Sequence, residues 1–409
     1  FSHKGRTYLS YGGTMSIETP FPYSYTAKTL IREISIDVAA YGRYLHEEQY
    51  QGLGRGYFFD KEHFRADRLV VAPPGQANWQ SLFSTAPLSP AGRDDLIRLH
   101  VEKRDYLPGM SPDEKAALLK TISYQDFLTR HAGALPEVLP FFAGRGFRNN
   151  MRMDCCPAYT AAKLGAPGFQ GMEIGGGPAF HSDYEFHFPD GNATIARLLV
   201  NRLIPDAFDG QFDAEGIVAQ RVRYDRLDNP ANPTRIRLSS MVIKVEHEGD
   251  PKNARAVSLI YVRGGKRYRV RGAHVVMACF NNILPFIVKD MPEDQKTALR
   301  YPSKVPMLYT NVLVRNWEAW KKLKVRSIYA SNAYHPNMSL DIPVSMGAYR
   351  FPDNPAEPIV VHMVRNPNSP GLPRRDQNRA GRAEMLATSF SDIERAIRSD
   401  MGRQLGGGG

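Results

Sequence analysis

The sequence predicts a mixed α/β protein of two domains, and three observations carry that expectation. A Gly-Gly turn, Tyr11-Gly-Gly-Thr-Met-Ser-Ile-Glu18, stands between a short strand-like run and a helix. A long section punctuated by Pro and Gly follows and reads as several short helices. After it come alternating strand patterns and a hairpin. With 409 residues the chain exceeds the length at which one core usually keeps growing, so two domains are expected.

Residues 7–11 form the strand-like run. Gly12 and Gly13 then let the backbone approach a flat ligand as no side chain would permit, so the stretch reads as the middle of a cofactor-binding domain whose beginning is absent. Ala27, Leu30, Ile31 and Ile34 have the spacing of one buried face of a helix over 26–34. Ser111, Pro112 and Glu114 supply an N-cap, a first-turn proline and a capping-box acid for a helix through Ile122, and Ser123 caps another over 124–131. Pro73, Pro74, Pro87, Pro90, Pro108, Pro136 and Pro140 separate the helices of this section, which reads as a helical insertion. Further on, Asp190 or Asn192 caps a helix carrying Ile195, Leu198, Leu199 and Leu203 on one face, and Pro205 ends it. Residues 235–246 alternate as a strand, and 257–262 pair with 268–270 across Gly264-Gly265. The apolar run 275–279 has the length of a buried parallel strand, whose carboxyl end would face a ligand.

The formal charge of +11 would suit an acidic partner, but its distribution argues against nucleic acid. Lys and Arg are spread over 93–104, 221–237, 263–271 and 374–382, interleaved with Asp and Glu and without an aromatic-basic stacking platform. No apolar run reaches the roughly 18 residues of a membrane helix, so no membrane insertion is expected. Cys155, Cys156 and Cys279 have neither metal-ligand nor redox spacing and read as free thiols. No Ser-His-Asp triad, zinc signature or phosphate-binding Walker loop points to a hydrolase, metalloenzyme or nucleotidase.

In their order, the Gly-Gly turn with its helix, the helical insertion, the glycine-bearing helix start, the strand around Val242, the hairpin and the apolar run resemble the flavin-containing amine oxidases. Segments 11–33, 186–205, 257–285 and 304–317 resemble the bacterial spermidine dehydrogenase branch of that family and together span most of the chain. The resemblance implies an incomplete two-domain FAD-binding fold with an interleaved substrate domain. Residues 1–42 and 171–290 would form a discontinuous FAD-binding domain, and 43–170 with 291–409 the substrate domain. The chain then reads as a fragment, lacking the family's Gly-x-Gly-x-x-Gly segment and its C-terminal segment. Gly5-Arg6-Thr7 mimics a flavin motif of the family but lies too close to Gly12-Gly13 and fits the preceding strand.

Residue by residue, Gly12, Gly13 and Thr14 match the family turn that passes the isoalloxazine. Gly191 and Asn192 match the start of the helix under the cofactor, Val242 the valine whose backbone meets the adenine, and Ala278 and Cys279 the small residues beside the dinucleotide. Glu18 matches, to within one residue, a glutamate that holds a substrate ammonium, and Asp183 and Glu185 are further candidates for that role. The family's lysine near flavin N5 has no counterpart in 307–314, which leaves Lys304, just before that strand, as the catalytic candidate. The branch also implies a haem b besides FAD. Without a Cys-x-x-Cys-His signal it would be held non-covalently, with His181 and His187 as candidate ligands. Tyr309, Trp317, Tyr329 and Tyr349 are candidate pocket walls, although core packing is the commoner fate of such rings.

The resemblance implies oxidation of a polyamine such as spermidine at the carbon beside an amine, with an electron acceptor as second partner and the periplasm as location. A cytoplasmic location is the alternative, and the oligomeric state is left open. Two other classes compete: an amino-acid oxidase or desaturase of the same fold, which would share the FAD-facing residues, and a non-catalytic haem-carrying electron-transfer protein.

Overall fold

The computed structural model describes residues 1–18, 23–75, 78–147, 151–176 and 185–408. They fall into two compact units, one of residues 1–199, 212–220 and 305–409, the other of 200–211 and 221–304. These boundaries follow contact density, whereas the expected cofactor and substrate domains are defined by function.

The first unit is built on a six-stranded sheet in the order Leu308–Val314, Ile359–Arg365, Asn337–Leu340, Val325–Tyr329, Gly54–Phe59, Arg68–Ala72. All its pairings are antiparallel except that of Val325–Tyr329 with Gly54–Phe59. Ile359–Val361 and Met363 are fully or almost fully buried, as suits a β-branched strand with neighbours on both sides. Short helices Trp79–Ser84, Pro90–Val101, Pro112–Thr121, Leu139–Ala143 and Ala158–Lys163 make the expected helical section. They share one aromatic core with the sheet: the Phe141 ring meets Tyr57, Phe59, Phe83 and Tyr329 with centroids 5.4–5.9 Å apart. Burial of each such ring contributes roughly 1.5–3 kcal/mol.

Local chemistry sets the boundaries. Ser111 and Glu114 form the reciprocal capping box, and Ser123 with Asp126 forms a second. The helix that Ser123 starts does not run on as a regular α-helix. It widens into a π-turn over Phe127–His131, closed by the Ala132 amide on the Phe127 carbonyl at 2.9 Å. The helix near the N-terminus spans Tyr25–Glu33 and buries Ile34 at its C-cap, but Leu30 is exposed, so its apolar face is narrower than the spacing suggested. The strand expected over 7–11 shrinks to Arg6–Thr7, paired with Ser2–His3.

The second unit carries a three-stranded antiparallel meander, Met241–His247, Val257–Arg263 and Lys266–Gly272, with the outer two strands as its edges. The hairpin forms where the sequence placed it. Gly264 and Gly265 both take positive φ, +55° and +74°, which a two-residue turn of this hand needs. Residues 235–240 do not join the first strand, because Arg235 and Arg237 turn back onto Asp228, which also receives Arg263. The run 275–279 is not a buried parallel strand: it forms no strand, Val276 is 88% exposed and Cys279 is exposed. An apolar run becomes a buried strand only with neighbours to bond on both sides, and the meander of this unit ends at Gly272.

Candidate active site

The Gly-Gly turn is held from beneath. Tyr11 is buried, and its carbonyl accepts the Asn311 side-chain amide at 2.7 Å. Asn311 Oδ1 bonds His362 Nδ1 at 2.7 Å, and the Tyr11 ring lies between His362 and His187, with centroids 4.4 and 4.7 Å away. Beyond the turn, Ser16–Glu18 pairs antiparallel with Glu185–His187, and this register sets Glu18 opposite Glu185. The start of the next helix clamps the turn: the Asn192 amide donates to the Thr14 carbonyl and its side chain to the Ser16 carbonyl, both at 3.1 Å. Asp190 organises that start, accepting from Thr194 Oγ1 at 2.5 Å and Arg197 Nη1 at 3.3 Å.

A cleft of about 630 Å³ opens beside the turn. Tyr11 and Met15, which flank the glycines, line it together with Tyr41, Tyr50, His187 and Asp341, while Glu47 and Arg326 form an exposed ion pair at its edge. Asp341 is 2% exposed. Its Oδ1 accepts the Ile342 amide at 2.8 Å, and its carbonyl accepts the Tyr50 hydroxyl at 2.7 Å. Burial pushes the Asp341 carboxyl up to about 7. The Tyr11 and Tyr50 phenols are raised too, first by burial and then by the Asp341 charge. Burial lowers His187 and His362 to about 4, so both imidazoles are neutral near pH 7. The cleft thus offers a buried, chargeable acid, Asp341, behind aromatic walls.

The residues singled out in the sequence are not all brought together. Gly12, Gly13 and Thr14 are exposed at the turn, and His187 lines the cleft. Gly191 and Asn192 contact the turn itself. At Gly191, with φ +63°, an added Cβ would lie 2.6 Å from the Thr14 carbonyl oxygen and 2.8 Å from Tyr11 Cβ, so the missing side chain makes room for the turn. Val242 is half-buried in the second unit's first strand, opposite Tyr261. Ala278 and Cys279 lie exposed in the segment that forms no strand. Lys304 is exposed, with its ammonium 4.0 Å from the Phe280 ring centroid. Asp183 and His181 lie outside the described residues. Of the aromatic candidates, Trp317, Tyr329 and Tyr349 are core: their polar atoms bond the Asn354 carbonyl, the Phe141 carbonyl and the Leu9 amide. Tyr309 packs on His362. Asp341, Tyr11 and His362 escaped the sequence reading; the signal for Asp341 was an acid set inside the apolar run 340–344.

The turn leaves room for FAD: among the described residues, a Cβ added at Gly12 or Gly13 would meet nothing within 4 Å. Haem fits less well. An axial histidine normally donates its second ring N–H to a fixing partner, yet His187 has no side-chain partner of that kind among the described residues. The buried acid of the cleft would also oppose the haem carboxylates. No metal-holding group of three or more His, Cys, Asp or Glu occurs among the described residues. Nor is any described helix long and apolar enough to cross a membrane.

No family model and no curated protein matches the chain. Among solved structures it is similar to wild-type putrescine oxidase bound to putrescine, with 12% identity, 98% of this chain and 73% of that one covered, and a TM-score of 0.48. A triple mutant of putrescine oxidase, made to redesign cofactor binding, matches at 12% identity over 99% and 72% of the two chains, with a TM-score of 0.49. Cyclohexylamine oxidase from Brevibacterium oxydans IH-35A matches at 13% identity over 97% and 70%, with a TM-score of 0.44.

Proposed function

We propose that the chain belongs to an FAD-dependent amine oxidoreductase acting on a polyamine of the spermidine type. The observation that carries this reading is the buried Asp341 carboxyl in an aromatic-walled cleft beside the free face of Gly12 and Gly13. Gly12, Gly13 and Thr14 would hold the flavin ring. When bound there, FAD supplies a hydride acceptor for the carbon beside the amine.

The protein's own residues position the substrate. The walls of Tyr11, Tyr41 and Tyr50 exclude water, which favours the neutral form of the amine to be oxidised. A polyamine keeps a second, remote ammonium, and the ionised Asp341 pairs with it. Glu18 and Glu185, set opposite each other by the register of the neighbouring strand pair, are further candidates to hold the same cation. Neutral His187 lines the cleft without adding a positive charge that would repel the substrate.

The test is anaerobic mixing of the FAD-loaded protein with spermidine while flavin absorbance is followed. Bleaching by spermidine, with little by a monoamine of equal length, supports the reading; FAD-loaded protein that spermidine does not bleach sinks it. Glu18→Gln should weaken polyamine use much more than FAD retention, and equal loss of both would make that residue structural.

A further inference from the structure

A second cavity, of about 250 Å³, lies between the turn after Gly54–Phe59 and the last turns of the helix Phe390–Leu405, and it shares no lining residue with the cleft. Three carboxylates line it, Asp60, Glu62 and Asp400, against one guanidinium, Arg403. That guanidinium is already engaged, donating to Glu62 Oε2 at 2.7 Å and to both Asp67 oxygens at 2.6 and 3.0 Å. The cavity is therefore negative in character.

Its acceptors are held in place. Asp60, 7% exposed, accepts the His63 amide, His63 Nδ1 and Asn332 Nδ2 at 3.0, 2.7 and 3.0 Å. Asp400 Oδ2 accepts the His335 amide at 3.0 Å. Gln404 is 3% exposed and lines the cavity, yet its buried Oε1 has no partner among the described residues. A buried acceptor left unmet is costly, so this oxygen calls for a donor that the fold does not supply. Phe58, Ala330 and Ala333 close the cavity with apolar surface.

We propose that this cavity binds a small N–H-donating cation, ammonium or the head of a short primary alkylamine, on Gln404 Oε1 and the Asp60 and Asp400 carboxylates. An –NH₃⁺ head presents three donors and ammonium four, neither with an acceptor, which suits three acceptors around a negative cavity. The apolar wall takes a short alkyl stem, and the volume limits its length. A bare metal ion suits the site less, since no set of three metal-ligating side chains is assembled among the described residues.

Thermal unfolding tests this in ammonium, n-propylammonium and tetramethylammonium chloride at constant ionic strength and pH 7. Ammonium should raise Tm by roughly 1–3 °C near saturation, and tetramethylammonium, which has no N–H, should not. An equal rise in n-propylammonium identifies an alkylamine site, and a rise in ammonium alone a free-ammonium site. Gln404→Leu and Asp400→Asn should each abolish the response, whereas Asp341→Asn, which alters the cleft, should keep it. No rise with either N–H donor, an equal rise in tetramethylammonium, or a response that survives both Gln404→Leu and Asp400→Asn overturns the proposal.

Discussion

Asp341 concentrates the chemistry of the cleft in one proton. Its pKa near 7 means that its charge, which in the proposed function would pair with a remote ammonium, develops only as pH rises through neutrality. KM for spermidine should therefore fall between pH 6 and pH 8, and Asp341→Asn should flatten that profile and raise KM about tenfold or more at pH 8; steady-state kinetics across this range reads both. The same carboxyl affects stability with a definite sign. Its folded pKa lies above the ordinary 3.8, so the neutral form's contribution is full below pH 3.8 and is lost as pH rises to about 7. Melting of Asp341→Asn beside wild type should show a gain of a few kcal/mol that grows from pH 4 to 7 and is level above. His187 and His362 act the other way: depressed from 6.5 to about 4, they contribute fully above pH 6.5, and that contribution is lost as pH falls through about 4. Of the glycines singled out in the sequence for this site, Gly191 uses its backbone freedom, at φ +63°, whereas Gly12 and Gly13 take no positive φ. Asp341 was not legible in the sequence, because its role comes from burial against Tyr11 and Tyr50, residues about 300 positions away in the chain.

Caps and turns were the elements most open to reading, since their chemistry is local. Ser111 with Glu114 and Gly264-Gly265 need only near neighbours, and the structure has both where the sequence put them. The run 275–279 shows the opposite case, because a strand depends on partners far along the chain and none pairs with it among the described residues. Gly191 is an element-scale constraint of another kind, joining a helix start to a turn 177 positions earlier through close packing on Thr14. Gly191→Ala should cost about 1–3 kcal/mol by denaturant melting, from positive φ and the 2.6 Å approach together, and should loosen FAD retention with it. Gly12→Ala should be nearly neutral for stability, since its added Cβ meets nothing within 4 Å.

At the scale of the whole molecule, ion pairs screen the charge of +11 locally without cancelling it. Asp228 holds three arginines, Glu248 holds Arg269 and Arg271, and Glu293 holds Arg300. Because Lys and Arg are interleaved with Asp and Glu along the chain, binding to single-stranded DNA should be weak by fluorescence anisotropy at 150 mM salt; a steep salt-dependent affinity would show a concentrated basic face instead. The edge strand Lys266–Gly272 has one more consequence. Strand edges invite another copy to add on, yet four of this strand's seven residues are Lys266, Arg267, Arg269 and Arg271. Two molecules meeting edge to edge would oppose cation to cation, so the arginines that pair with Glu248 at home also act as gatekeepers against fibre-like stacking in a concentrated solution.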